Sequence, residues 1–509
     1  MLEDSLPWQE KVLKKFIHIH PILFAIFPAV SIVADHIEFV TFNAELLLLT
    51  LIILVAAGAA FLVLSHVWQS TGKAAVGTSL SLIFFFSYGH TFDFLTREFS
   101  FAFIQHRHLT LLWLLLYVVL FVLLFRTRKN LEMVNRWLTA VGILLLLFSS
   151  YSIVQYHLTH QEFWQPELSL PSATQPVQEL PDIYYIILDA YANEATLSSY
   201  YNFDNRDFLQ GLEARGFFVA EHSRSNYALT SLSLSSSLNF SYVNEISAHA
   251  GEDSQSIAIP MRLTEQNEAG QFLQSRGYQF VFMGSGYGIS QANRYADVDV
   301  RCGRVDETVG RFIATSLLRA PTDRFRLIER DDRQRRLCLF HELAHMPQTA
   351  APKFVFAHIP SPHWPFLFDR AGNPVSLENL TRAQLKEGYL DQLIYLNGRI
   401  LQIVDAILEN SSRDPLVIIQ SDHGPAFEFS MDTPSDALYQ ERMRILNAYY
   451  LPEEAQAMLY PTITPVNSFR IVFNHLFAAE LPLLDDQSYF STYQTPYQFT
   501  NVTEQILSR

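Results

Sequence analysis

Residues 415–427 read PLVIIQSDHGPAF. Four apolar residues, Leu416-Val417-Ile418-Ile419, are bounded by Pro415 and Gly424. The run is too short for an ordinary helix and is β-branched, so it reads as a buried strand. It leads straight into Ser421-Asp422-His423-Gly424. A carboxylate and an imidazole side by side at the end of a buried strand are a natural pair of metal ligands. Gly424 would let the backbone turn away sharply. Asp and Gly are also ordinary turn formers, so the reading depends on how the other strands end.

They end in similar chemistry. Asp182–Ala192, DIYYIILDAYA, is apolar from Ile183 to Leu188 and stops at Asp189, as expected of a strand covered on both faces. A helix over Asn205–Arg215 carries Phe208 and Leu212 one turn apart, Gly216 stops it, and Phe217–Ala220 reads as a strand. Ser223–Asn239 is rich in hydroxyls, and Thr230 is placed to open a helix as a cap or first-turn residue. There its oxygen faces free backbone N–H groups and the positive end of the helix dipole. A capped helix without chemistry is the plainer reading of that segment taken alone.

Strands follow at Tyr278–Met283, after a helix near Glu265–Arg276, and at Lys353–Ile359. The second leads into Pro360-Ser361-Pro362-His363-Trp364-Pro365-Phe366, a proline-stiffened loop with His363 and, just before it, His358. Between them, Val305–Met346 alternates basic and acidic residues and reads as a solvated covering layer of helices. A long helix near Glu378–Asn410, a strand over Met443–Leu451 and a helix near Ser468–Ala479 complete the pattern. Alternating strands and helices predict an α/β sandwich with a mainly parallel sheet and helices on both faces. Sites in such sheets form beyond the carboxyl ends of the strands, where Asp189, His358, His363, Asp422 and His423 all fall.

His341-Glu342-Leu343-Ala344-His345 matches the helical HExxH zinc-protease pattern. No third ligand follows at a characteristic distance, and chance histidines on a surface helix are the preferred account. Cys302 and Cys338 are the only cysteines and leave a single disulfide and two free thiols equally open.

The first third of the chain differs in character. Ala44–Val67, Ala74–Leu95, Leu109–Phe125 and Trp137–Tyr156 are apolar for about the 20 residues a bilayer requires. Phe16–Ala34 is a weaker fifth candidate, since it holds His18, His20, Pro21 and Pro28. Lys11, Lys14 and Lys15, and then Arg126, Arg128, Lys129 and Arg136, mark cytoplasmic ends. Five spans put both clusters on one side and everything after residue 157 outside. The expected organisation is therefore a five-helix transmembrane anchor over 1–157, a Pro-rich linker over 158–181 and an extracytoplasmic domain over 182–509. Net charge is −15, and residues 1–180 hold 10 basic against 12 acidic side chains, so nearly all of the excess lies in the soluble part. That argues against nucleic-acid binding.

Taken together, IILDAYA, NYALTSLSLSSSLN, FAHIPSPHWPF and IIQSDHG resemble the alkaline phosphatase superfamily. More closely, they resemble its membrane-anchored, sulfatase-like branch of lipoteichoic acid synthases and phosphoethanolamine transferases. The resemblance covers about 181–509 and implies an alkaline phosphatase-like catalytic domain. It implies Asp189, Thr230, Asp422 and His423 as ligands of one divalent cation, Zn²⁺ or Mn²⁺, with Thr230 also the nucleophile. His363, and less directly His358, would contact substrate. Sulfatases carry Cys/Ser-x-Pro-x-Arg at the nucleophile, whereas this chain has Thr230-Ser231-Leu232-Ser233-Leu234, which favours phosphoryl over sulfuryl chemistry. Ala190 stands where relatives often carry another acidic residue, which speaks against a second metal. The implied activity is transfer of a phosphorylated head group, of phosphoethanolamine or phosphoglycerol type, from a membrane phospholipid to a lipid or glycan acceptor outside a bacterial-type inner membrane. A membrane-anchored hydrolase of sulfate or phosphate esters, or an inactive envelope-binding protein, are the alternatives.

Overall fold

In a computed structural model, residues 18–40, 43–97, 105–159, 164–166, 180–286, 288–349, 352–375 and 380–507 are described. The expected linker and the start of the first predicted span fall largely outside them. The chain forms two compact units, Met1–Glu162 with Val305–Ile328, and Phe163–Arg304 with Glu329–Arg509.

The first unit contains helices His20–Asp35, Ala44–Trp68, Thr71–Arg97, His106–Arg126 and Glu132–Thr159. Ala44–Trp68, His106–Arg126 and Glu132–Thr159 are long and apolar enough to cross a membrane. The polar groups that weakened the first candidate span have partners inside the bundle. His20 is fully buried, with Nδ1 2.6 Å from Ser79 Oγ and Nε2 2.9 Å from Asn135 Oδ1.

Segment 305–346, expected as a covering layer, divides. Helices Glu307–Thr315 and Arg319–Phe325 belong to the first unit. There Phe312 is buried against Ala29, Ile32 and Val33 and meets the Phe86 ring at 5.4 Å. Charge alternation along the segment concealed this apolar side, whose partners lie more than 200 residues earlier.

The second unit is built on a seven-stranded sheet. Its strands are β1 (Ile183–Leu188), β2 (Phe218–Val219), β3 (Gln279–Met283), β4 (Val298–Asp299), β5 (Lys353–Ile359), β6 (Leu416–Gln420) and β7 (Asn447–Tyr450). The order is β2-β7-β6-β1-β5-β3-β4. β1, β3, β4, β5 and β6 are parallel, and β7 and β2 add antiparallel pairs at one edge. Every residue of β1, β5 and β6 is buried, the reason these strands are mostly apolar without alternation, with Lys353, His358 and Gln420 as their buried polar exceptions.

Tyr184, Ile186 and Leu188 face one core, packed with Leu393, Leu396 and Ile400 of the Arg382–Asn410 helix. Ile183, Tyr185 and Ile187 face the other, with Phe469 and Phe473 of the Ser468–Phe477 helix. At the amino edge Lys353 Nζ lies 2.6 Å from Asp182 Oδ2, and Asp182 also accepts the Lys353 and Leu416 backbone N–H groups. Asp182 thus ties the starts of the three central strands together, β5 through its carboxylate and β6 through its backbone carbonyl.

Candidate active site

Strand register assembles the site. β1 pairs with β6 from Ile183↔Leu416 to Ile187↔Gln420, and with β5 from Ile183↔Phe354 to Leu188↔Ile359. Two residues further, the same register sets Asp189 beside Asp422. Ala190 follows at φ 64°, a left-handed conformation that costs a non-glycine residue about 1–2 kcal/mol. It is held by its N–H, which donates to Asp422 Oδ1 at 3.2 Å, and by its carbonyl, which accepts the Tyr389 hydroxyl at 2.9 Å.

Thr230 is the first residue of the Thr230–Leu238 helix, after Leu229 as N-cap. Its Oγ1 lies 2.9 Å from His423 Nε2. The His423 Nδ1–H donates to the Gly424 carbonyl at 2.9 Å, which leaves Nε2 as the lone-pair nitrogen facing the site. His423 Nε2 is 3.3 Å from Asp422 Oδ2 and 3.8 Å from Asp189 Oδ1. Both oxygens are buried without a hydrogen-bond partner. Ligands at about 2.1 Å around a tetrahedral cation stand about 3.4 Å apart. Separations of 2.9, 3.3 and 3.8 Å, with two orphaned carboxylate oxygens, therefore fit one divalent cation. Asp189, Asp422 and His423 are also the one His/Cys/Asp/Glu group of metal-binding spacing among the described residues. His341 and His345 of the HExxH match are exposed on the Leu327–His345 helix and belong to no such group.

The two carboxyls are driven apart electrostatically. Burial pushes Asp189 up, but His363, His358 and His423 outweigh it and hold the group well below its usual range. Burial and the neighbouring Asp189 charge push Asp422 up to about 6. Burial, then the Arg442 charge, lowers His423 well below its usual value and keeps it neutral.

His363 stands on the loop after β5. Its N–H donates to the Asp189 carbonyl at 3.1 Å, and its ring lies 6.5 Å from that of His423. His358 is placed differently from expectation. It is 2 % exposed, with Nε2 3.6 Å from Asp189 Oδ2 and Nδ1 2.5 Å from Ser290 Oγ. From β5 it turns its ring toward Asp189, as a buried neighbour of that carboxylate.

Sequence reading missed the brace behind these groups, Glu441 and Arg442. The Arg442 Nε–H donates to the Ala228 carbonyl at 2.8 Å and its Nη1 to the Gly424 carbonyl at 2.9 Å, so one guanidinium joins the segment leading to Thr230 to the Asp-His segment. Glu441 accepts the backbone N–H groups of Phe427, Glu428 and Phe429, each at 3.0 Å, and the Tyr201 hydroxyl. Gly424 is required by close approach and not by conformation, since a Cβ there would lie 2.2 Å from the Glu441 carbonyl oxygen. The hydroxyl-rich run also finds its purpose, because Ser225 and Ser233 both donate to the Asp422 carbonyl, at 2.6 and 2.7 Å. Only the density of hydroxyls hinted at this; nothing marked Glu441 or Arg442.

A family model described as sulfatase matches residues 181–501, nearly the whole of the second unit's span. The chain belongs to the sulfatase family. It is a sulfatase-like enzyme of the alkaline phosphatase superfamily, with an N-terminal helical region ahead of its α/β domain. Among solved structures, it is similar to the integral membrane lipooligosaccharide phosphoethanolamine transferase A from Neisseria meningitidis, with 14 % identity, 91 % of this chain and 95 % of that one covered, and a TM-score of 0.40. The C-terminal periplasmic domain of EptC from Escherichia coli matches at 12 % identity over 65 % of this chain and 96 % of that one, with a TM-score of 0.42. A protein of a glycosaminoglycan-metabolism locus of Bacteroides thetaiotaomicron matches at 14 % identity over 64 % and 84 %, with a TM-score of 0.39. No curated protein matches the chain.

Proposed function

We propose that this sulfatase-family member is a membrane-bound, metal-dependent transferase. It moves a phosphorylated head group, of phosphoethanolamine or phosphoglycerol type, from a phospholipid to a lipid or glycan acceptor outside the cytoplasmic membrane. The observation that carries this reading is the threonine hydroxyl at a helix N-terminus, 2.9 Å from His423 Nε2 and beside two carboxylates with orphaned oxygens.

Asp189, Asp422, His423 and Thr230 would hold one Zn²⁺ or Mn²⁺. Such an ion, when bound, lowers the pKa of an adjacent hydroxyl and offsets charge on the transferring group. Thr230 releases its proton to water, and its Oγ1 attacks the donor phosphorus as the phosphorus–oxygen bond to diacylglycerol breaks. The free N–H groups of the helix's first turn face the phosphoryl oxygens, where the dipole favours negative charge. His363 holds its Nδ1–H 2.5 Å from the Trp364 carbonyl, so Nε2 faces outward and, in the doubly protonated ring, hands its proton to the departing diacylglycerol oxygen. In the second half the now neutral His363 Nε2 takes the proton of the acceptor hydroxyl, whose oxygen attacks the same phosphorus, and the Thr230 ester breaks, its oxygen regaining a proton from water to restore the free side chain.

The outside placement of the catalytic domain is supported by two features. Cys302 and Cys338 form a disulfide, a bond typical of oxidising compartments. The basic residues near Arg126–Arg136 also precede or open the single apolar helix Glu132–Thr159, so a cytoplasmic place for them sets residue 159 on the outside.

The test incubates the purified full-length chain with Zn²⁺ or Mn²⁺ and phosphatidylethanolamine or phosphatidylglycerol, then weighs the Thr230 peptide. A phosphoethanolamine or phosphoglycerol adduct on Thr230 is expected, with Thr230→Ala losing it and on the order of 10³-fold or more of turnover. Steady release of free phosphate or sulfate from small esters without any adduct or acceptor would defeat the transferase reading.

A further inference from the structure

Segment Val305–Ile328 belongs to the unit of the N-terminal helices, although residues 304 and 329 on either side belong to the catalytic unit. Its base is closed by the Cys302–Cys338 disulfide, with Cα atoms 5.7 Å apart. The segment lies along the second half of the Thr71–Arg97 helix. The Leu317 N–H donates to the Phe85 carbonyl at 2.7 Å, and Arg319 Nη1 is 2.9 Å from Asp93 Oδ1. From Phe85 to Asp93 is about 12 Å of helix rise. Gly89 lies between them, and a Cβ there would sit 1.9 Å from the Ala314 carbonyl oxygen, so the close approach needs glycine.

The polar contacts gather toward the helix ends. His106 Nε2 is 2.9 Å from Asp323 Oδ2, and the His106 ring stacks on Phe92 at 3.8 Å. The apolar contact of Phe312 with Phe86 lies about two turns further along the helix. Yet Leu318, Phe325 and Leu327 are 42 %, 59 % and 45 % exposed. Three large apolar side chains within ten residues, with the exposed Arg324 among them, follow the pattern of an element lying in a membrane interface. They adjoin helices that are themselves apolar outward, such as His106–Arg126, where Leu111 is 68 % and Leu115 62 % exposed.

We infer that Val305–Ile328 is a membrane-seated insertion whose Leu318, Phe325 and Leu327 enter the headgroup–acyl boundary of the outer leaflet. Its occupant is the lipid surface, because its exposed side continues the apolar surface of the spanning helices of the same unit. The Asp93–Arg319 and His106–Asp323 pairs stand at the helix ends, where a bilayer tolerates charge. The inference rests on the reading that the N-terminal helices cross a membrane, and the test separates the two.

The full-length chain, with its disulfide intact, carries one new cysteine bearing a solvatochromic thiol label, in vesicles of phosphatidylethanolamine and phosphatidylglycerol. The positions are Phe325→Cys, Leu318→Cys as an independent second site, Leu115→Cys for the bilayer interior and Glu409→Cys for solvent. At Phe325 and Leu318 emission shifts to shorter wavelength and falls several-fold with nitroxide lipids quenching near the headgroups, and less with quenchers near the bilayer centre. Leu115→Cys shows the reverse depth order, and Glu409→Cys neither shift nor quenching. The inference is overturned if Phe325→Cys and Leu318→Cys behave like Glu409→Cys. It is equally overturned by a shift without lipid quenching, the signature of a second copy or another protein covering the face. An unquenched Leu115→Cys overturns it together with the membrane reading.

Discussion

Replacing Glu441 should loosen, from behind, the loop that follows Asp422 and His423 without touching those side chains. The side chain is fully buried and accepts three backbone N–H groups and the Tyr201 hydroxyl. Those three N–H groups belong to residues 427–429, close after Asp422 and His423. In Glu441→Gln one oxygen keeps its donors, and the new NH₂ faces a donor it cannot satisfy. Hydrogen bonds to a charged group are worth about 1.5–3 kcal/mol each, so the loss is about 2–3 kcal/mol. Glu441→Ala strands all four donors, but the half-buried N–H groups regain some water, giving about 3–5 kcal/mol. For a domain of this size, 2 kcal/mol lowers Tm by about 3 °C. Any part expressed as disorder of the Asp422-His423 segment lowers metal affinity about tenfold per 1.4 kcal/mol. Thermal unfolding with and without Zn²⁺, beside direct metal titration, reads both quantities. The reasoning is refuted if Glu441→Gln stays within about 0.5 kcal/mol of the parent, a change typical of an ordinary surface site, or if the alanine variant is no worse than the glutamine one.

Three further outcomes are expected. Asp182→Ala removes the carboxylate from the fully buried Lys353 ammonium and leaves neutral acceptors such as the Thr349 carbonyl, so denaturant unfolding should show a loss of about 3–5 kcal/mol. Because burial and the Asp189 charge raise Asp422 to about 6, protons compete with a cation for its oxygen. Metal affinity, measured by titration between pH 5 and 8 as a range about the ordinary physiological span, is full above that value and falls as pH drops through it. Removing the disulfide with Cys302→Ser and Cys338→Ser frees a loop of sequence separation 36 in the unfolded chain. Chain-entropy arithmetic gives a cost of about 4 kcal/mol, to be read as a lower denaturation midpoint; an unchanged midpoint would mean that docking alone fixes the segment.

What the residues determined alone was local and thermodynamic. Apolar β-branched runs must be buried, and that made β1, β5 and β6 legible nearly to the residue. Asp189, Asp422 and His423 were then legible as strand ends, and Thr230 as a helix opening. Tertiary structure decided what depends on partners distant in the chain. Register set Asp189 beside Asp422, 233 positions away. It buried His358, expected as a lesser substrate contact, beside the Asp189 carboxylate, and left the HExxH histidines exposed and unassembled. It joined two cysteines whose pairing their spacing had left open. Glu441 and Arg442 were invisible because they bind backbone groups, which every residue carries and no sequence pattern marks. Segment 305–328 was misread for the same reason: its charges are local, but the surface that covers Phe312 is supplied by helices near the start of the chain.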